Sequence, residues 1–210
     1  MNTQLCPTIM TDDPEVFQKQ MEEASRYAGR VHIDLGDGVF TRNFVPIADI
    51  WWPGGMRADL HVMYERPFEH LEAMVALGPQ LIVVHAEAEG DFMAFADAVH
   101  RHGIEAGVCL LQKTPVEAIV PALDVIDHVL IFSGVLGQRG EADLGLLEKV
   151  RQLKALKPQL EIGWDGGVND TNARALAEGG VDVLNAGGYL HGANPAEAYQ
   201  KLLEELRTIL

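Results

Sequence analysis

Apolar residues gather in eight short runs, separated by longer stretches in which they recur every three or four positions. The runs read as strands are Leu5–Met10, Val31–Asp34, Ala58–Val62, Leu81–His85, Glu105–Leu110, His128–Phe132, Glu161–Trp164 and Asp182–Asn185. The amphipathic stretches Pro14–Tyr27, Pro67–Ala76, Asp91–His102, Pro115–Pro121, Asp143–Leu156, Asp170–Glu178 and Pro195–Leu206 read as helices. Leu144, Leu147, Val150 and Leu153 form one such stripe. Asp13-Pro14, Asp91 and Asn194-Pro195 supply capping side chains or first-turn prolines. The segment from Thr41 to Arg57, with Trp51-Trp52-Pro53-Gly54-Gly55, shows no clear helical period and reads as a long loop or a short helix. Strict alternation of strand and helix predicts a parallel sheet with helical crossovers. Eight units in 210 residues is roughly 26 per unit, near the lower limit of a (βα)8 TIM barrel. The expected architecture is therefore a single α/β barrel domain over 1–210. An open doubly wound sheet shows the same alternation, but it does not require polar residues at its strand ends.

This chain has them. At or just past the strand ends lie Thr8 and Thr11, His32 and Asp34, His61 and Met63, His85 and Glu87, Ser133, Asp165-Gly166-Gly167 and Ala186-Gly187-Gly188. Reactive groups of a barrel sit at this C-terminal face. Residues two apart on a strand point the same way, so His32 shares a face with Asp34, and His61 with Met63. His32, Asp34, His61 and Asp165 are expected to converge near the axis. A lone strand-end histidine is more commonly a hydrogen-bonded bystander, but four phased donors are not. Imidazole with carboxylate suits one divalent ion of Zn, Fe, Mn or Co better than Ca. Gly166-Gly167 and Gly187-Gly188 follow consecutive strands, where barrels commonly bind phosphate through backbone N–H groups.

Charge narrows the partners. Sixteen Lys and Arg against 31 Asp and Glu leave a formal charge of −15, which lacks the basic footprint of a nucleic-acid or anionic-membrane binder. Backbone dipoles can still hold a phosphate locally. Cys6 and Cys109 lie far apart in apolar runs, arguing against a disulfide framework or a thiolate zinc site. No apolar stretch approaches the ~18 residues of a membrane span. The N-terminal residues lack a basic then apolar leader pattern. The expectation is a cytoplasmic protein acting on a small phosphorylated molecule, with homo-oligomerisation left open.

Taken in order, these segments resemble the ribulose-phosphate 3-epimerases. The hydroxyl-bearing first strand followed by Asp is similar to Pro7-Thr8-Ile9-Met10-Thr11-Asp12-Asp13. The family's H-x-D-x-M-D-G-x-F pattern resembles His32-Ile33-Asp34-Leu35-Gly36-Asp37-Gly38-Val39-Phe40, with Asn43 beyond it. D-x-H-x-M resembles Asp59-Leu60-His61-Val62-Met63, and a strand ending in H-x-E resembles Val84-His85-Ala86-Glu87. Thr114-Pro115 and Asp165-Gly166-Gly167 complete the series. The resemblance implies interconversion of D-ribulose 5-phosphate and D-xylulose 5-phosphate through an ene-diolate. It implies a metal held by His32, Asp34, His61 and Asp165, with Asp34 as base and Asp165 as acid, exchanging roles in reverse. Thr8, Met63, Gly137 and Gln138, with Gly166, Gly167, Gly187 and Gly188, are the implied substrate and phosphate contacts.

Some positions differ from the family pattern. Gly36 and Phe132 stand where methionines are expected, so Gly36 is expected to leave space that Phe132 partly refills. The loop Ser133-Gly134-Val135-Leu136-Gly137-Gln138 is shorter than the family's substrate-covering loop and lacks its proline; Trp51 and Trp52 could replace it, make an oligomer contact or simply pack in the core. Leu111 and Gln112 stand for an asparagine and a proline, and Gly188 for a serine. These changes leave open an epimerase of a ketohexose phosphate (allulose 6-phosphate type), or a catalytically silent sugar-phosphate-binding paralogue. A decarboxylase is disfavoured because no strand ends in Asp-x-Lys-x-x-Asp. A Schiff-base aldolase needs a desolvated lysine, and Lys113 opens a helix. His100, His102 and His128 read as surface or packing residues, and His191 as either near a phosphate or capping a helix.

Overall fold

A run such as Val31-His32-Ile33-Asp34-Leu35 puts aliphatic side chains on one face and chemistry-bearing ones on the other. Val31, Ile33 and Leu35 are fully buried against the surrounding helices, as are Ala58, Leu60 and Val62 on the strand paired with it. His32, Asp34, Asp59 and His61 alternate with them and are also buried. Strands buried on both faces belong to a parallel sheet covered by crossovers, and the computed structural model shows that arrangement. It describes residues 3–136, 138, 140–192 and 194–207.

Among the described residues nine strands form: β1 (Gln4–Ile9), β2 (Arg30–Asp37), β3 (Phe44–Val45), β4 (Arg57–Met63), β5 (Leu81–His85), β6 (Glu105–Leu110), β7 (His128–Phe132), β8 (Glu161–Asp165) and β9 (Val183–Ala186). All except β3 are parallel neighbours in chain order, and β1 pairs with both β2 and β9, which closes an eight-stranded TIM barrel. β3 is a two-residue antiparallel addition on Gly36 and Asp37. The helices are α1 (Pro14–Ala24), α2 (Leu71–Ala76), α3 (Phe92–His100), α4 (Leu147–Leu156), α5 (Ala173–Glu178) and α6 (Pro195–Arg207). Asp13 and Asp91 cap α1 and α3, each accepting two backbone N–H bonds. Among the described residues no helix is long and apolar enough to cross a membrane.

The expected helix at Pro115–Pro121 is not an α-helix. It resolves into 3-10 turns at Val116–Ala118 and Val120–Val125. Pro121 contributes no N–H and disfavours the α conformation before it, so an i to i−4 ladder cannot run through. The first turns expected before α2 and α4 are likewise 3-10, at Pro67–His70 and Leu144–Leu146.

The N-terminal end of the barrel is closed by charge. Gln4, Arg30, Arg57, Glu105, His128 and Glu161 are each the first residue of a strand. The Arg30 guanidinium donates to Asp59 Oδ2 at 2.5 Å, to both oxygens of Glu161 at 3.0 and 2.8 Å, and to Gln4 Oε1 at 2.9 Å. His128 Nδ1 lies 2.7 Å from Glu161 Oε2, and Arg57 joins Asp59 to Glu105. Burial alone would raise the Glu161 pKa, but His128 and Arg30 outweigh it and hold it well below the usual carboxylate range.

Candidate active site

At the opposite end, β1, β2, β4, β7, β8 and β9 open into a cavity of about 490 Å3, within the range of small-molecule sites. Thr8, Asp34, Met63, Phe132, Asp165 and Asn185 reach it from the strands, each on the inward phase. Asp34 and His61 are register partners on adjacent strands. The pairing explains why His61 Nδ1 lies 2.8 Å from Asp34 Oδ1. Asp165 Oδ2 lies 3.8 Å from the same nitrogen, and His32 Nε2 3.2 Å from Asp34 Oδ1.

His32, Asp34, His61 and Asp165 each offer one ligand atom, and those four atoms all lie within 4.8 Å of one another. The expected convergence of these four residues is what the closed barrel produces. Three features fit the group to a cation. Its donors are imidazole nitrogen and carboxylate oxygen. His32 Nε2 is buried without an aligned hydrogen bond. The described residues lining the cavity include no Lys or Arg to neutralise the two aspartates.

The electrostatics split the two carboxyls. Burial alone would raise Asp34, but His32 and His61 beside it outweigh that and hold it well below the usual range. Burial, reinforced by the charge of Asp34, pushes Asp165 up to about 6. His85, buried behind His61, is pushed down to about 4, chiefly by burial. Environments that separate two carboxyls in this way create one standing base and one proton donor.

The glycine turns occupy one wall. Gly166 and Gly167 line the cavity with Val168 and Asn169, facing Gly187, Gly188, Tyr189 and His191. Gly166 (φ +102°) and Gly167 (φ +73°) adopt backbone that favours glycine, and a Cβ on Gly166 would sit 2.9 Å from the backbone nitrogen of Gly134. The loop after β7 thus packs directly on this turn, and its Gln138 and Gly140 reach the cavity. Gly137 lies outside the described residues. His191 lines the cavity, its Nε2 2.8 Å from the Thr8 carbonyl.

One expectation is corrected. Gly36 leaves no space: a Cβ there would collide with the Asn43 carbonyl and come within 2.7 Å of the Thr41 methyl. The loop leading to β3 has moved into the place of the missing side chain. Of the readings left open for the tryptophans, core packing holds for Trp52; Trp51 is 40% exposed, and neither lines the cavity. Asn185, Met10, Asn169 and Tyr189 line the cavity without having been singled out by sequence. Asn185 carried a usable signal, an inward-phased polar residue at a strand end, and its Oδ1 is buried without a partner, as is Thr8 Oγ1.

Residues 4–191 match the ribulose-phosphate 3 epimerase family. The chain belongs to that family. It is 31% identical to the ribulose-phosphate 3-epimerase of Chlamydia muridarum, over 95% of this chain and 92% of that one, and 28% identical to that of Bacillus subtilis, over 97% of each. A 3-hexulose-6-phosphate synthase superposes with a TM-score of 0.68 at 20% identity, over 98% of this chain and 99% of the other. The 3-keto-L-gulonate-6-phosphate decarboxylase of Vibrio cholerae does so at 0.75 and 14%, over the full length of both. At such identities these two structures speak for the fold alone. The protein is an isomerase, a sugar-phosphate epimerase acting on a small-molecule substrate.

Proposed function

We propose that the protein interconverts D-ribulose 5-phosphate and D-xylulose 5-phosphate, with Asp34 and Asp165 moving the proton at the third carbon. The observation that carries this reading is the buried group of two histidines and two aspartates, of which Asp34 and Asp165 line the cavity. Inverting a carbon beside a carbonyl requires removal of a proton from one face and its return on the other. Asp34 on β2 and Asp165 on β8 approach the cavity from different strands of the ring, which suits two-faced chemistry. Asp34 is the base in one direction and Asp165 the acid, and the two exchange roles in reverse.

His32, Asp34, His61 and Asp165 are the residues that would hold one divalent ion, of Zn, Fe, Mn or Co. When bound, such an ion supplies Lewis-acid stabilisation of negative charge developing on the substrate. Thr8, Asn185 and Gln138 offer hydrogen bonds to the sugar hydroxyls, and Met63 and Phe132 cover its apolar face. The Gly166-Gly167 and Gly187-Gly188 turns receive the phosphate, with Gly137 assigned to the same set from its sequence position. The same reading takes 1–210 as one catalytic domain working in the cytoplasm without a nucleic-acid partner.

The test is incubation with ribulose 5-phosphate in deuterated water with added divalent metal. Deuterium is expected at the third carbon of both sugars, and none after chelation. A protein that binds the sugar phosphate but incorporates no label at any metal loading would sink the assignment. A parallel ketohexose phosphate assay decides the chain length of the substrate.

A further inference from the structure

Behind the four donors a second imidazole meets His61. The His85 ring meets it nitrogen to nitrogen, with centroids 5.0 Å apart, planes 30° apart and the two Nε2 atoms 2.9 Å from each other. Both rings are buried. Two ring nitrogens at that distance share one proton, with an N–H on one side and a lone pair on the other. His61 turns Nδ1 toward Asp34 and Asp165. A nitrogen that binds a cation must offer its lone pair, so the ring proton of His61 has to sit on Nε2. That N–H donates to His85 Nε2, which leaves the His85 proton on Nδ1. His85 Nδ1 makes no aligned hydrogen bond, and it faces Glu87 Oε2 at 3.5 Å. Glu87 is anchored through its other oxygen, which accepts from the Leu111 N–H and the Thr114 hydroxyl.

We propose that His85 and Glu87 are positioning residues that lock His61 in its Nε2-protonated tautomer and keep Nδ1 open toward Asp34 and Asp165. The inference rests on the reading of His61 as a metal ligand and extends it two residues outward. Outer groups of this kind orient metal-binding imidazoles, although here the first acceptor is a second imidazole rather than a carboxylate. His61, His85 and Cys109 also place donor atoms within 4.8 Å of one another. The 2.9 Å nitrogen separation is that of a shared proton, and burial pushes the Cys109 thiol well above its ordinary value.

The direct test is nitrogen-15 NMR of the imidazoles in the zinc-loaded wild-type protein. His61 is expected to be protonated at Nε2 and His85 at Nδ1; a proton on His85 Nε2 overturns the proposal. Cobalt affinity, measured by chelator competition, is expected to fall roughly 10–100-fold in His85→Leu. His85→Gln, whose amide oxygen can accept from His61, should recover most of it. If His85→Leu does not fold, Glu87→Ala supplies the reading, with a smaller loss and an altered visible cobalt spectrum. Unchanged affinity and spectrum in these variants overturn the relay while leaving the metal reading intact. A near-ultraviolet thiolate band in the cobalt protein would make Cys109 and His85 ligands and also overturn it. Failure of the wild type to bind cobalt or zinc at all removes the metal reading itself, and the relay with it.

Discussion

At its N-terminal end the barrel buries charge in a closed account, with Arg30 flanked by Asp59 and Glu161, Glu161 by His128, and Asp59 by Arg57. At its C-terminal end it buries Asp34 and Asp165 among three imidazoles, with no guanidinium or ammonium among the described cavity residues. Both layers are cut from the same inward phase of the same strands. The first is complete as the chain folds, because each anion meets a fixed cation. The second holds two like charges together and leaves His32 Nε2, Thr8 Oγ1 and Asn185 Oδ1 without aligned hydrogen bonds. Buried polar groups lacking partners cost stability, so a protein keeps them where a ligand will complete them. The contrast separates a stabilising charge layer from a functional one, and it can be broken at either end.

The largest effect belongs at the mouth. Asp165→Asn keeps the shape of the side chain but can neither accept nor return a proton. Turnover is expected to fall roughly 10²–10⁴-fold, while phosphate binding at the glycine turns persists. Steady-state rates beside calorimetric binding of the sugar phosphate measure both; retained turnover would show that the paired carboxyls are not the chemical groups. At the other end, Arg30→Met removes the buried cation that joins Asp59 and Glu161 and leaves them only the more distant Arg57 and, for Glu161, His128. Breaking a buried pair from one side costs about 3–5 kcal/mol, which urea unfolding should register, with kcat of the folded protein unchanged. A loss of turnover without a loss of stability would mean that the two layers are not separate.

How far each layer was legible in the sequence follows from the geometry behind it. Strand parity is local, so His32 with Asp34, and His61 with Met63, could be put on a common face from spacing alone, and barrel closure then brings Asp165 to them. The N-terminal layer was not legible. Arg30 and Glu161 are 131 residues apart and carry no motif; they meet only because both begin strands of a closed ring, and His128 accordingly reads as a packing residue. Gly36 was misread for a related reason. Absence of a side chain looks like space, yet what fills it is the backbone of Asn43, a tertiary contact no local pattern encodes. Pro121 is legible as the end of the expected helix, whereas the tightening of the turns on either side of it to 3-10 is not.

The smallest effect separates the layers by pH in the metal-free protein. Asp165 is raised from 3.8 to about 6 on folding, chiefly by burial and then by Asp34. Between those values the folded state binds the extra proton, so this group withdraws stability as pH rises through the window, up to roughly 3 kcal/mol at about 1.4 kcal/mol per pH unit. Glu161 has the opposite sign: its depressed pKa adds stability above the unfolded value of 4.5, lost as pH falls below it. His85, lowered from 6.5 to about 4, also gains stability with rising pH across part of the same range and masks the Asp165 slope in the wild type. A difference curve removes the mask. Unfolding free energy of Asp165→Asn minus wild type, measured in chelator, should be near zero below pH 4, climb to about pH 6 and then level off in favour of the variant. Saturating metal should abolish that climb, because a cation between Asp34 and Asp165 makes the second charge favourable instead of costly. A flat difference curve in chelator would mean that neither burial nor Asp34 raises Asp165, and the contrast between the two ends of the barrel would lose its upper half.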